Sequence, residues 1–558
     1  LSSPAGKTAP AAAEGPLPLV VGVVGHRHLE PADYPIYRAR VAALFAHLRA
    51  EYPATPLRVI SALAEGADRL VADVALQSGC DLIVPLPMPT ADYEQDFPQT
   101  AGAFRELLAR APAGNVFVLP SPHGDSSPLT PQQRDARYLE AGIYIAGQCH
   151  LLLALWDGVR NNAIAGTAEV VRFKLEGHLH ADDRALSSDD RGPVYRIHAP
   201  RAASGASADV PATWLFPADS EESSFRTVCA RIDRFNRDAT RARVRAVAVD
   251  TAATLIPDLA ARPRADRLLA GAFAHADALA RRYQRLTHAV LRTIIGLTVA
   301  LALTFEIYAE IMPRRELPAL YLVIFAAIAA LFLWHRRFDA QGRYLDYRAL
   351  AEALRVQFYW RLGGLGDSAA ASYLRKQLDE LRWIRDALRG TNTLPPPTQP
   401  RMDLVLGHWV HGQAQYYRSR AGMQSQRIHR IERMSELCLI VGLTATTMLL
   451  VLWHRFEVWG TWRHWVVLVM GFAPIAAALW EVYGERFGLR SQAHQYARFA
   501  AIFARAEKTI AWLEAAPQGP QRDQNERALL RELGRESLME NGDWVLSLRE
   551  RPIALPKG

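Results

Sequence analysis

The 558-residue chain holds only four cysteines, Cys80, Cys149, Cys229 and Cys438. Their spacing fits no zinc or redox pattern, and Cys438 lies inside an apolar run. A disulfide scaffold and a cysteine metal site are therefore both excluded, and a reduced, cytoplasmic setting suits the polar part of the chain. Two phosphate-binding signatures are also missing. Without G-x-G-x-x-G or G-x-x-x-x-G-K-[ST], neither an ordinary dinucleotide domain nor a P-loop ATPase is supported. Residues 1–17 are rich in Ala and Pro and lack the apolar core of roughly 7–15 residues that marks a signal peptide. They read as a disordered lead.

The mean hydropathy is near zero, as in a soluble protein. That average hides an asymmetry. Residues 1–286 are mixed in character, whereas four apolar blocks occupy 293–312, 317–334, 437–453 and 465–483. A spanning helix needs about 20 apolar residues. The alternative, four buried helices of a large soluble protein, fits poorly with blocks paired across short connections. Trp334, Trp453, Trp465 and Trp480 stand near block ends, where interfacial anchors belong, and Trp459 and Trp462 lie in the second connection. The outer flanks carry Arg281, Arg282, Arg285, Arg336, Arg337, Arg427, Arg430, Arg433, Arg486 and Arg490. The two connections hold only Arg314, Arg315, Arg455 and Arg463. The positive-inside rule then places both termini in the cytoplasm of a multi-pass protein, in a bacterial inner membrane. The net charge of +8 raises nucleic acid as a partner. The arginines beside apolar blocks more simply face anionic headgroups, so nucleic acid is set aside.

Glu306 and Glu310 are one turn apart within the first block and share a face. They either lie near the outer interface or line a pore or bundle between subunits.

The two hairpins look like copies. RRFDAQGRYLDYRALAEAL (336–354) follows the first and ERFGLRSQAHQYARFAAIF (485–503) the second. Matching Arg337-Phe338 to Arg486-Phe487 places Tyr347 on Tyr496 and Ala351 on Ala500. In 343–361, Tyr344, Tyr347, Leu350, Ala351, Leu354 and Phe358 form a helical stripe; Tyr496, Phe499, Phe503 and Ile510 form another in 492–513. Such stripes are packing seams. TNTLPPPTQP (391–400) reads as an exposed, stiffened linker. The layout is thus an α/β domain over 18–200, a helical connector over 201–286, a first hairpin and cytoplasmic helix over 287–390, the linker, and a second hairpin with cytoplasmic helices over 401–558.

In the α/β part, strands are expected at 17–25, 57–61, 81–87, 116–120 and 150–157, alternating with helices, with a further strand at 194–200. That alternation argues a parallel, doubly wound, Rossmann-like sheet, in which ligands bind beyond the C-terminal strand ends. Three loops qualify: Gly25-His26-Arg27, Ser61 to Asp68, and Asp157 to Thr167. Two of them precede helix N-termini, where free N–H groups hold anions. Arg27 could clamp a phosphate, and Asp68 or Asp157 could accept ribose or base hydrogen bonds. The plainer readings stay open: Gly66 and Asp68 either shape a site or serve only the start of a helix, and Glu169 is either catalytic or an ordinary first-turn acid. His26 and His28, at i and i+2 with no third ligand nearby, make no metal site.

The motifs VVGHR (23–27), SALAEGAD (61–68) and LALWDG…GTAEVV (153–171) resemble the SLOG superfamily of Rossmann-like domains. That group includes cytokinin-activating phosphoribohydrolases, DNA-processing DprA-type proteins and the N-terminal regions of TRPM channels. The resemblance implies a nucleotide-type ligand over Gly25, His26, Arg27, Ser61, Gly66, Ala67, Asp68, Asp157, Gly158, Gly166 and Thr167. The phosphoribohydrolases carry P-G-G-x-G-T-x-x-E; here Ala165-Gly166-Thr167-Ala168-Glu169 lacks Pro-Gly-Gly and sets the Glu one residue closer to the Thr. DYRALAEALRVQFYW (346–360) and MENGDWVLSLRERP (539–552), with Trp544, resemble the SLATT type of two-transmembrane effector modules. These are predicted to act in bacterial nucleotide-linked defence.

Three functions follow as expectations. The first is a nucleotide sensor driving an oligomeric membrane pore or disruptor. The second is a membrane-anchored nucleotide-processing enzyme using Glu169, Asp157 and Arg27. The third is a non-catalytic scaffold. No metal is expected, and the partners are the lipid bilayer, a nucleotide-derived small molecule and further copies of the chain.

Overall fold

The computed structural model describes residues 15–112, 114–120, 129–159, 166–177, 191–201, 209–218, 220–372, 381–395, 397, 399–452 and 460–549. Two compact units divide the chain. One comprises Leu1–Ala278, Leu350–Met402 and Leu530–Met539; the other comprises Leu279–Ala349, Asp403–Leu529 and Glu540–Gly558.

The first unit is built on a seven-stranded sheet. In chain order its elements are β1 (Leu19–Gly25), α1 (Tyr34–Glu51), β2 (Leu57–Ile60), α2 (Ala67–Gln77), β3 (Asp81–Leu86), α3 (Ala101–Arg110), β4 (Val116–Val118), α4 (Pro131–Gln148), β5 (Leu151–Trp156), α5 (Thr167–Glu176), β6 (Val194–His198) and β7 (Thr213–Leu215). The strand order is β4-β3-β2-β1-β5-β6-β7. Every neighbouring pair is parallel except β6 with β7. Parallel strands covered on both faces read as unbroken apolar runs, which is why LLLALW is wholly buried. Val21, Val23 and Leu153 face a core shared with α1 and α2, while Val20, Val24 and Leu152 face one shared with α4 and α5. The expected Rossmann-like domain is therefore present, with helices on both faces. The antiparallel edge strand β7 has no signature in the sequence. Three residues, held by the Tyr195–Trp214 edge contact at 5.0 Å, leave too short a pattern to read.

Two helices complete this side of the unit, α6 (Glu222–Ala239) and α7 (Ala242–Ala253). The expected helical connector then continues as α8 (Arg264–Glu306) without a break. Two segments from far along the chain also belong here. The inner half of α10 (Ala340–Leu362) bonds through Tyr359 to the Leu255 carbonyl at 2.9 Å and through Arg361 to Asp266 at 2.8 Å. Helix α11 (Arg382–Thr391) packs at the N-terminal end of the sheet. There His150 accepts the Val20 N–H on Nδ1 (2.8 Å) and places Nε2 2.7 Å from the Asp386 carbonyl, to which it donates. Arg58 pairs with Asp81 and donates to the Gly390 carbonyl and Thr393. The Pro-rich stretch, expected to be exposed, instead buries Thr393 and Leu394, because Arg58 and Arg361 draw its polar groups inward.

The described elements of the second unit are helical: the outer part of α8 with a π turn at Ile307–Ile311, then α9 (Glu316–Phe338), α12 (Gly412–Val451), α13 (Thr461–Arg486) and α14 (Leu489–Glu514), with parts of α10 and α15 (Pro520–Arg549). Among the described residues, four helices are long and apolar enough to cross a membrane: Arg264–Ile311, Glu316–Leu362, Met402–Val451 and Trp462–Arg486. Their apolar windows are only 6% to 17% buried by protein. Buried helices of a soluble core would not leave Leu450 77% exposed or Leu443 68% exposed. Trp453, Arg455 and Trp459 lie outside the described residues, as do residues 1–14 of the lead.

The duplication is visible in the backbone. After Arg337-Phe338, Asp339 turns at φ 51° into α10; after Arg486-Phe487, Gly488 turns at φ 61° into α14. The two left-handed residues occupy matching positions in the two copies. Tyr344, Tyr347, Leu350, Ala351, Leu354 and Phe358 are buried, as are Phe499, Phe503 and Ile510, so both stripes are packing seams. Small residues set the α12–α13 crossing, where a Cβ on Gly442 would stand 3.2 Å from that of Ala473. Glu306 lies across Gly471 of α13, its carboxylate 2.9 Å from where a Cβ would stand, and Glu310 falls within the π turn.

The His150 contacts give a pH signature. Burial lowers its pKa from 6.5 to about 4, so the folded state holds it neutral while the unfolded chain protonates it below pH 6.5. Its contribution is complete above pH 6.5 and is lost as the pH falls toward 4, by about 3 kcal/mol in total. Thermal unfolding from pH 7.5 to 4.5 should show a steeper fall for the wild type than for His150→Gln. Parallel curves would refute this account.

Candidate ligand crevice at the sheet switch point

Strand order reverses between β1 and β5: the chain runs outward from β1 to β4 and returns beside β1. The usual ligand position in such sheets is a crevice beyond the C-terminal ends of these two strands. The loops there are Gly25-His26-Arg27 and Asp157-Gly158, with the N-terminus of α2 beside them.

Three glycines hold the backbones close. A Cβ on Gly25 would come within 2.4 Å of Ala67 Cβ, and one on Gly158 (φ 86°) within 2.6 Å of Arg196 Nη1. At Gly66, φ is 84° and a Cβ would meet the Arg27 carbonyl oxygen at 2.1 Å. This approach lets the Ala67 N–H donate to the His26 carbonyl at 3.1 Å, joining the first loop to α2. Gly66 thus fixes the start of α2 against the first loop.

The second loop is braced internally. Ser61 is fully buried; its hydroxyl donates to the Asp68 carbonyl (3.3 Å) and accepts the Leu63 N–H (3.2 Å). Leu63 sits at φ 56°, a conformation that non-glycine residues rarely hold. Ser61 therefore shapes the loop instead of presenting a free hydroxyl.

The electrostatics mix acid and base. His26 Nε2 lies 3.3 Å from both the Asp157 N–H and the Asp157 Oδ1. Burial lowers the His26 pKa against the opposing pull of Asp157, so the neutral ring accepts the N–H. Asp157 also accepts the Val159 N–H at 2.9 Å and pairs with Arg201 at 3.4 Å. Burial pushes the Asp68 carboxyl up to about 7, against the stabilising Ala64 N–H, Arg27 and Arg69. Arg27 stacks on the Tyr138 ring, 4.3 Å from its centroid, and Tyr138 hydrogen-bonds Asp96. Arg69 donates to the Leu63 carbonyl and to Thr100, and stacks on Phe97. Among the described residues, its Nη2 and the buried Tyr93 hydroxyl have no hydrogen-bond partner.

Gly166 caps α5 and Thr167 opens it. Ala165 and the rest of 160–165 lie outside the described residues. Glu169 pairs with Arg172 one turn on, as a first-turn acid does. His28 is exposed. Among the described residues, no group of three His, Cys, Asp or Glu side chains is placed to hold a metal. Tyr93, Tyr138, Arg69 and Arg201 carry no signature in the sequence. They come from separate segments and belong to no motif; only the position of Arg69 directly after Asp68 hints at its place.

No protein-family model matches the chain, and searches of curated proteins and of solved structures return no match either. The fold therefore speaks for itself: a Rossmann-like sheet domain followed by long apolar helices.

The glycine geometry makes a direct prediction. Gly66→Ala should cost more than about 1 kcal/mol, since both φ and the Arg27 carbonyl oppose it. Gly147→Ala, in open space on α4, should be neutral or stabilising. Thermal melts of the two variants check this; equal midpoints would remove the case for an enforced close approach.

Proposed function

We propose that the chain is a nucleotide-derivative sensor coupled to a membrane effector, of the SLOG and SLATT types. The observation that carries the reading is the crevice at the β1–β5 switch point. Three glycines there bring the loops into close approach, the α2 N-terminus lies beside them, and Arg27, Arg196 and Arg201 bias the region toward anions. The four apolar windows support the membrane half. The arginine-rich flanks favour cytoplasmic termini in a bacterial inner membrane. Four helices leave little room for a channel within one copy, so the effector would act as a homo-oligomer, with Glu306 and Glu310 toward its interior. The chain passes from the sheet unit into the first apolar window through α8 without a loop, a short covalent path for a ligand-dependent shift.

Binding of labelled mono- and dinucleotides to the purified protein, followed by dye flux from proteoliposomes, tests the reading. Arg27→Ala should weaken binding by about tenfold or more, as loss of a charged hydrogen bond does. Flux should rise with ligand and disappear with Arg27→Ala. Ligand binding without any flux would sink the effector half; no binding across the nucleotide panel would sink the sensor half.

Asp68 favours a second reading, an enzyme acting on the same ligand class. A carboxyl held at about 7 is matched to proton transfer near neutral pH. Product formation lost in Asp68→Asn but kept in Glu169→Gln would select that reading and assign the acid. The scaffold reading would follow if neither binding nor turnover occurs.

A further inference from the structure

The second hairpin carries a cavity at its inner turn. It measures about 270 Å³ and lies where α13 turns into α14, walled by Ile428, Ile431 and Leu489 and rimmed by Glu432, Glu481, Glu485, Arg490 and Ser491. Gly484 and Gly488 make the space. A Cβ on Gly484 would find nothing closer than Ile431 at 3.8 Å. In the first copy the matching positions hold His335 for Gly484, Phe332 for Glu481 and Arg336 for Glu485. His335 is buried there, so these positions of the first copy supply neither the space nor the acids.

The level of the cavity is marked by its neighbours. Trp480 contacts Tyr483, Tyr483 packs on Phe487 at 4.3 Å, and Arg427 donates to the Tyr483 hydroxyl at 3.0 Å. Aromatic rings with arginines at the end of an apolar run belong at the headgroup level of a bilayer. The apolar wall continues along α12 and α13 toward the acyl-chain region.

The chemistry of the rim has two signs. The first turn of α14 presents N–H groups that have no intrahelical acceptor, beside the Ser491 hydroxyl and the Arg490 guanidinium. Together they suit a phosphate. Glu432, Glu481 and Glu485 suit a cation. Arg490 bridges the two, 3.2 Å from Glu432 and 3.7 Å from Glu481. Three carboxylates, set against one guanidinium and the His429 ring 3.3 Å from Glu432, disfavour an anionic lipid. A trimethylammonium has no N–H to donate to the carboxylates, whereas a primary ammonium has three.

We infer that this cavity binds the headgroup of a phospholipid bearing a primary ammonium, a phosphatidylethanolamine, in the leaflet on the side of the long helical extensions. The phosphate sits at the α14 N-terminus and the ammonium among the three glutamates. The inference rests on the membrane half of the function proposed above and is independent of the nucleotide.

The test uses the full chain in nanodiscs made from equal parts of phosphatidylethanolamine, phosphatidylcholine and phosphatidylglycerol, followed by detergent extraction and mass spectrometry of retained lipid. Ethanolamine lipid should be enriched by about tenfold over each of the others. Gly484→Leu, which fills the cavity, and Glu481→Gln with Glu485→Gln, which removes two acceptors, should each abolish the enrichment. Elution as a single species shows that each variant is folded. Equal retention of the three lipids, or enrichment unchanged in both variants, would overturn the inference. So would binding of soluble phosphoethanolamine to the delipidated protein without any lipid enrichment. A chain that washes off membranes in alkaline carbonate would instead overturn the membrane reading, a result distinct from an embedded chain without lipid preference.

Discussion

Uncovered apolar surface dominates the second unit. Its four windows bury at most 17% of their residues against protein, and Leu322, Val323, Leu443, Leu450 and Val451 are each more than 60% exposed. Water does not tolerate a surface of that extent, so its surroundings must be apolar. Other features follow from that requirement. In hydrocarbon the helices gain nothing from apolar burial against one another and depend on close packing, which Gly442, Ala473 and Gly471 permit. Threonines along the windows return their hydroxyls to backbone carbonyls one turn back, as Thr304 and Thr446 do, which satisfies these groups in hydrocarbon.

The sheet unit depends on a different constraint, the approach of two backbones at the switch point. Gly66 lets α2 begin against the Arg27 carbonyl, and Gly25 lets Ala67 pack on the end of β1. Neither position admits a side chain, so the crevice is shaped by what these residues lack. The charged groups around it, Arg27 on Tyr138, Arg69 on Phe97 and Asp157 between His26 and Arg201, are held by rings and backbone more than by one another.

Much of this is legible in the residues. Apolar runs flanked by turn residues locate β1, β2, β3, β4, β5 and β6, because parallel strands buried on both faces leave that imprint. The apolar windows are legible from length alone, and the duplicated turn from Arg-Phe pairs that precede a left-handed residue in both copies. Contacts at long sequence separation are not legible. Nothing near His150 announces Asp386, and Thr393 and Leu394 lie in a proline-rich stretch that reads as surface until Arg58 and Arg361 are seen to bind it. In the crevice, the loop residues are legible and their supporting shell is not: Tyr93, Tyr138 and Arg201 are ordinary residues of their own segments, brought in by the fold.

The duplication also constrains how the membrane half can work. Two independent anchors would need only two apolar hairpins, and neither would keep a carboxyl inside its window. Glu306 does lie inside one, flat against Gly471 of the other hairpin, at the lip of a π turn. Ionisable groups within spanning segments are costly and commonly functional. π turns interrupt helices mostly where function requires it. The glycine opposite leaves room for the carboxylate and no larger neighbour, so the contact joins the first hairpin to the second specifically. The two copies have therefore become complementary parts of one bundle. They differ both at this contact, where one supplies the acid and the other the glycine, and at the inner turn, where one is filled by His335 and the other opens at Gly484. Such divergence within a shared layout makes the two hairpins unequal partners in their contact.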